Sequence, residues 1–180
     1  DGRKIGVGKR TPRFLRLGTP LGSLSRHFGK TKNEFEANER LIEMYGKMVS
    51  DKWSEGEIIV NGIMIKAIGA GNKVRGLKFR ESRPDLIIID DLENDEMVES
   101  LERREKLERW FNGALVPSLA DGGRIIVIGT ILHYSSLLAK MLRDDNYTEY
   151  TKRLYKVIMK DEPLWPEHLN LQQIEKLRQE

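Results

Sequence analysis

The stretch Asp85-Leu86-Ile87-Ile88-Ile89-Asp90-Asp91 decides the fold. Four consecutive aliphatics bounded by turn residues predict a strand buried on both faces, a kind that belongs to parallel sheets in α/β proteins. Downstream, a long polar helix fits Asp95 to about Phe111, and Arg124–Ile128 predicts a second buried strand entered through Asp121-Gly122-Gly123. Ser135 to Leu142 suits a helix capped by Ser135, and Tyr147 to Met159 suits a further strand. Upstream, Glu57–Val60 and Ile63–Lys66 flank Asn61-Gly62. Asn-Gly favours the type I′ hairpin because both turn positions need positive φ. Between Asn33 and Val49 the pattern is helical, with Phe35, Leu41, Ile42, Tyr45, Met48 and Val49 on one face. Residues 1–31 have no clear period, and there is no internal repeat. Buried strands alternating with helices predict a three-layer α/β domain with a mainly parallel sheet and an added β-hairpin.

The bulk numbers set limits. A length of 180 residues suits one domain with a modest core, or a piece of a larger protein; the opening on Asp1 and the closing helical stretch Leu171–Glu180 favour a piece. Hydrophobic residues make up 39% and charged residues 33%, enough for a core beneath a richly charged surface. Net charge is only +3, but Arg3, Lys4, Lys9, Arg10, Arg13 and Arg16 face a single acid, Asp1, within the first sixteen residues. Such a basic arm either meets phosphate backbones or is a solvated end. The absence of cysteine excludes disulfides, thiolate metal sites and cysteine nucleophiles. No apolar run approaches the roughly 20 residues that span a bilayer, and there is no signal-peptide core. The expectation is a cytoplasmic protein with no membrane partner.

A hydrophobic strand ending in a carboxylate pair is the Walker B pattern of P-loop NTPases. The strand holds its first Asp at the carboxyl edge of the sheet, where phosphates bind. Asp90 is thus the Mg²⁺ candidate, because Mg²⁺ wants hard oxygen ligands. Asp91 is the candidate to orient and deprotonate the attacking water, with Glu93 in reserve. Strand-end aspartates also cap loops and helices, so the motif alone is moderately specific. Walker A reads G-x-x-x-x-G-K-[ST], and the nearest match is Ser25-Arg26-His27-Phe28-Gly29-Lys30-Thr31, with Leu24 where the first Gly should stand. In that reading the Gly29 backbone and Lys30 bind phosphate and Thr31 binds Mg²⁺. Its alternative is a chance Gly-Lys-Thr in a basic loop, since no convincing strand precedes it. Gly129-Thr130 after the second strand is either a γ-phosphate sensor or an ordinary turn. Arg75, between Gly71 and Gly76, is either an arginine finger or an exposed loop arginine. His27, His133 and His168 lack metal-site spacing.

Together these segments resemble one family, the large terminase subunit of tailed phages and prophages. Val74 to Asn94 is similar to its arginine loop and Walker B strand. Gly122 to His133 resembles its coupling motif, and Leu164-Trp165-Pro166-Glu167-His168 resembles the exit from its ATPase domain. Asn33 to Arg40 also looks family-like, so the likeness covers about four-fifths of the chain. It implies an incomplete P-loop ATPase that uses ATP and Mg²⁺ to drive double-stranded DNA into a procapsid in a bacterial host cell. Implied partners are a portal protein, a small terminase subunit and further copies in a ring. The implied division is a basic segment over 1–32 with the degenerate Walker A, an ATPase core over 33–163, and a linker helix over 164–180 toward a nuclease domain. Family members run a long helix and a strand between Walker A and the region like Asn33, whereas here Thr31 leads almost directly into it. Two other readings stay open: a catalytically inactive prophage remnant serving as a binding or assembly module, and another P-loop DNA-dependent ATPase.

Overall fold

The computed structural model describes residues 13–18 and 21–179. Most of the basic arm, Arg3 to Arg10, lies outside the described residues. The chain divides into two compact units, Asp1–Lys140 and Met141–Glu180.

The first unit is a mixed α/β structure built on a five-stranded sheet in the order β2-β3-β1-β4-β5. Its strands are β1 (Arg13–Gly18), β2 (Glu57–Val60), β3 (Ile63–Gly69), β4 (Leu86–Asp90) and β5 (Arg124–Ile128). The pairs β1–β3, β1–β4 and β4–β5 are parallel, and β2–β3 is the antiparallel hairpin. Asn61 and Gly62 take φ of 47° and 80°, as the type I′ turn requires. The chain leaves β1 toward β3 on one side, then crosses back to β4 and β5 on the other. This reversal makes β1 the topological switch point, outside whose carboxyl end ligands bind in open α/β sheets. Register places Gly69, Gly18, Asp90 and Ile128 side by side at that end.

Helix α1 (Leu21–Ala37) follows β1, and α2 (Glu39–Tyr45) follows after a break at Asn38. The predicted single helix from Asn33 is therefore two helices, the first beginning twelve residues earlier. Asn38 accepts from the amides of Arg40 and Leu41, so its side chain caps the new helix rather than continuing the old. Phe28 and Met48 form a core with Ile58 and Val60 of the hairpin, flanked by Phe35, Leu41 and Ile65. This places α1 and α2 on one face of the sheet.

On the other face Ile87 and Ile89 are fully buried, at 0% exposure. The segment after β4 runs as α3 (Asp95–Glu99) and α4 (Leu101–Trp110), then a π-turn (Phe111–Leu115) and a 3₁₀ turn (Val116–Ser118). Its buried stripe is Leu107, Phe111 and Leu115, four residues apart. Ser100 accepts from the Arg103 amide and splits the predicted long helix in two.

The expectation of strands buried on both faces is corrected. In β4 Leu86 and Ile88 are half-buried, and in β5 Ile126 and Ile128 are 43% and 56% exposed. Register pairs Ile88 with Ile126, so these residues share the α1 face. Ile88 lines an apolar groove with Thr31 and Phe35 of α1, and no β5 residue lines that groove. Among the described residues an apolar run thus sits on a strand with one exposed face, and β5 pairs with no strand besides β4.

In the second unit the strand predicted over Tyr147 to Met159 shrinks to β6 (Ile158–Met159), paired with β7 (Glu162–Pro163). The last helix, α6 (Leu171–Gln179), opens with a reciprocal cap: Gln173 N donates to Asn170 Oδ1, and Asn170 N donates to Gln173 Oε1. Among the described residues no helix is long and apolar enough to cross a membrane.

Candidate functional site

The parallel strands β4 and β5 bring their carboxyl ends together. Asp90 ends β4 in register with Ile128, the last residue of β5. Asp91 then turns out of the sheet with φ of 47°, and its N–H donates to the Ile128 carbonyl at 3.0 Å. Aspartate tolerates this left-handed conformation better than most residues, because its short polar side chain can hydrogen-bond locally. Such a conformation at a strand end costs free energy and is held by its surroundings, a feature that clusters at functional sites. A β-carbon built on Gly129 would stand 3.6 Å from Asp91 Oδ1, so the two loops lie in van der Waals contact. Thr130 follows, exposed, on the loop leaving β5. The structure therefore groups Asp90, Asp91 and the Gly129-Thr130 turn.

Glu93, expected in reserve for the water-activating role, is bonded to a helix N-terminus. Its carboxylate accepts from the amides of Leu137 (2.8 Å) and Leu138 (3.0 Å), the first residues of α5 (Leu137–Arg143). An anion at a helix N-terminus satisfies amides that have no partner within the helix and complements its dipole. Both oxygens are engaged there, so Glu93 clamps the β4 loop to the helix after the Thr130 loop. The local cap is Ser136, fully buried, whose Oγ accepts from Ala139 N at 3.3 Å, in place of the expected Ser135.

Gly29, Lys30 and Thr31 are not in a loop. They lie in the middle of α1, a 17-residue helix. Thr31 shares a face with Phe28 and Phe35, lines the apolar groove, and donates its hydroxyl to the His27 carbonyl at 3.1 Å. Lys30, one position round, is exposed. Helical backbone amides at 29–31 point along the axis into the preceding turn, so they form no concave phosphate cradle. The strand–loop–helix geometry that Walker A needs is absent at these residues.

Arg75 is committed to another partner. Its Nη2 donates to the Gly113 carbonyl at 2.7 Å, inside the π-turn. Trp110 Nε1 donates to the Asn72 carbonyl at 2.9 Å, and Val74 is buried. The glycine-rich loop is thereby fastened to the end of α4 rather than held out in solvent. Nothing in the sequence pattern near Gly113 signals this contact, which spans 38 residues.

Among the described residues no cluster of three or more His, Cys, Asp or Glu could hold a metal ion. Mg²⁺ in phosphoryl-transfer sites takes only one or two carboxylates plus phosphate and water oxygens, so the donor chemistry at Asp90 suits it. Thr31 does not, because it sits in the middle of α1 and lines an apolar groove.

The charged loop Lys78–Arg83 is not among the sequence-predicted site residues. It borders a trough lined by Lys52, Glu57, Met64, Lys66, Leu77, Lys78, Phe79 and Arg80, on the sheet face opposite α1. Glu57 lies between Lys52 and Lys66, its Oε2 3.1 Å from Lys66 Nζ. Burial pushes the Glu57 carboxyl up, but hydrogen bonds and charge from the two lysines outweigh it and hold the group below its ordinary value. The signal available in the sequence was the alternation of Glu57 and Lys66 with apolar neighbours, which places both on one hairpin face.

No protein-family model and no curated protein matches this chain.

Proposed function

We propose that the chain is the ATPase-core portion of a DNA-packaging motor of the terminase large-subunit type, working on ATP and Mg²⁺ to translocate double-stranded DNA. The observation that carries the reading is the meeting of Asp90-Asp91 with Gly129-Thr130 at the carboxyl ends of two adjacent parallel strands. Asp90 holds Mg²⁺, which neutralises phosphate charge when bound. Asp91 orients the attacking water and accepts its proton. Thr130 senses the reacting phosphate, and the Glu93 clamp passes its movement to α5. Arg75 serves as a finger toward a neighbouring copy's nucleotide only after leaving Gly113.

The phosphate cradle comes from a strand–loop–helix unit other than Gly29-Lys30-Thr31. The carboxyl end of β1, where Gly18 stands in register with Asp90 and α1 follows, is where such a unit fits. The helical placement of Lys30 and Thr31 favours a second reading, an inactive remnant that works as a binding or assembly module. Calorimetric titration of the chain with Mg-ATP, beside Asp90→Ala, tests both. Saturable binding lost in Asp90→Ala supports the motor reading for this chain. Absence of binding by the folded protein leaves the binding-module reading ahead.

A further inference from the structure

We infer that the trough between the β2–β3 hairpin and the 77–84 loop binds the phosphate backbone of a nucleic acid. It has about 320 Å³ of space, with four cations, Lys52, Lys66, Lys78 and Arg80, against one carboxylate, Glu57. Glu57 is occupied by Lys52 and Lys66. Among the described residues Lys78 and Arg80 form no ion pair, and both are exposed. Unpaired cations beside a concavity attract anions, and the half-closed walls focus their field.

The arrangement suits a repeating anion better than a single phosphate. Lys78 and Leu77 also border a second hollow of about 370 Å³, which carries Arg75 and Arg83. Positive charge therefore continues from the hairpin past Lys78 toward the end of α4 instead of converging on one point. The Arg80 guanidinium lies 5.2 Å from the centre of the Phe79 ring, which holds the cation at the trough rim. Arg80 and Glu81 both take positive φ, at 47° and 66°, and Phe79 and Ser82 exchange backbone hydrogen bonds of 3.0 and 3.1 Å. The rim is thus a tight turn that presents Lys78 and Arg80 in a set geometry. The contacts are to phosphate and carry no base reading, so binding is independent of sequence. The proposal names the polymer partner in the motor reading, but its test needs no nucleotide.

The test is fluorescence anisotropy of a labelled duplex of ~20 base pairs, and of a single strand of equal length, over about 50–200 mM salt. The intact chain is compared with Lys78→Ala/Arg80→Ala. An Arg40→Ala/Lys47→Ala variant carries the same charge change at exposed positions on and beyond α2. Losing two phosphate contacts lowers the salt slope by about 1.8 for the duplex and weakens binding about tenfold or more at ~100 mM salt, with the α2 variant unchanged. Lys78→Arg/Arg80→Lys restores the slope. Binding by the trough variant that matches the intact chain in affinity and slope overturns the proposal, and so does an equal loss in the α2 variant. Failure here leaves the Asp90 reading intact, because Mg-ATP titration is a separate measurement.

Discussion

Replacing Glu93 with alanine removes the clamp that starts α5. Two charge-assisted hydrogen bonds are lost, at 2.8 and 3.0 Å, and two amides are left without their acceptor. Hydrogen bonds to a charged group contribute roughly 1.5–3 kcal/mol each when well shielded. These amides are only partly buried, so water replaces some of the loss, and single cap removals cost roughly 0.5–2 kcal/mol. Loss of the carboxylate from the helix N-terminus adds about 0.3–1 kcal/mol. Together these parts give about 1–3 kcal/mol for Glu93→Ala. Glu93→Gln keeps one acceptor and costs about half as much. For a chain of this size the alanine variant melts roughly 2–12 °C lower. The decisive assay is amide hydrogen exchange at Leu137 and Leu138, which report the clamp directly. Faster exchange there, with protection at Ile87 and Ile89 falling only by the global loss, is the expected result. A stability loss under about 0.5 kcal/mol, or unchanged exchange at the two amides, refutes the reasoning.

Other outcomes are as definite. At Gly123 a β-carbon would come within 2.8 Å of the Leu119 side chain and 2.9 Å of the carbonyls of Ala120 and Asp85, so Gly123→Ala destabilises by about 1–3 kcal/mol in urea unfolding. Gly113 has nothing within 4 Å of such an atom, and Gly113→Ala is neutral or stabilising by up to about 1 kcal/mol. Glu57 has a folded pKa below its unfolded value of 4.5, so the folded state binds fewer protons there and stability falls as pH falls. The stability difference between the intact chain and Glu57→Gln is accordingly full above pH 4.5 and fades through the depressed folded pKa, as denaturant melts from about pH 6 to about pH 3 would read.

How far the sequence could be read depends on the range of each interaction. The Asn61-Gly62 turn and the aliphatic run of β4 are set within a few residues, by positive φ in one case and by continuous apolar side chains in the other. Asp90 at the end of one strand and Gly129 just after the end of another were legible for the same reason, but the pairing of the two strands was not. The helix from Asn33 was legible in type but not in extent. The preceding turns carry Gly22, Gly29 and several polar residues, and their helicity is supported by Phe28 packing on the hairpin. That packing also displaces the Walker A expectation: a Gly-Lys-Thr triplet is a phosphate loop only where a strand delivers it, and here it rides on a helix.

Sequence alone therefore determined the strand-forming runs, the hairpin turn, the carboxylate pair and the chain's charge, because each follows from neighbouring residues. Tertiary structure alone decided that Glu93 clamps α5 across 44 residues, that Arg75 rests on Gly113 across 38, and that among the described residues β5 exposes one face and pairs only with β4. Such contacts join groups whose spacing along the chain carries no period, and what covers an apolar strand is fixed by where the other elements end.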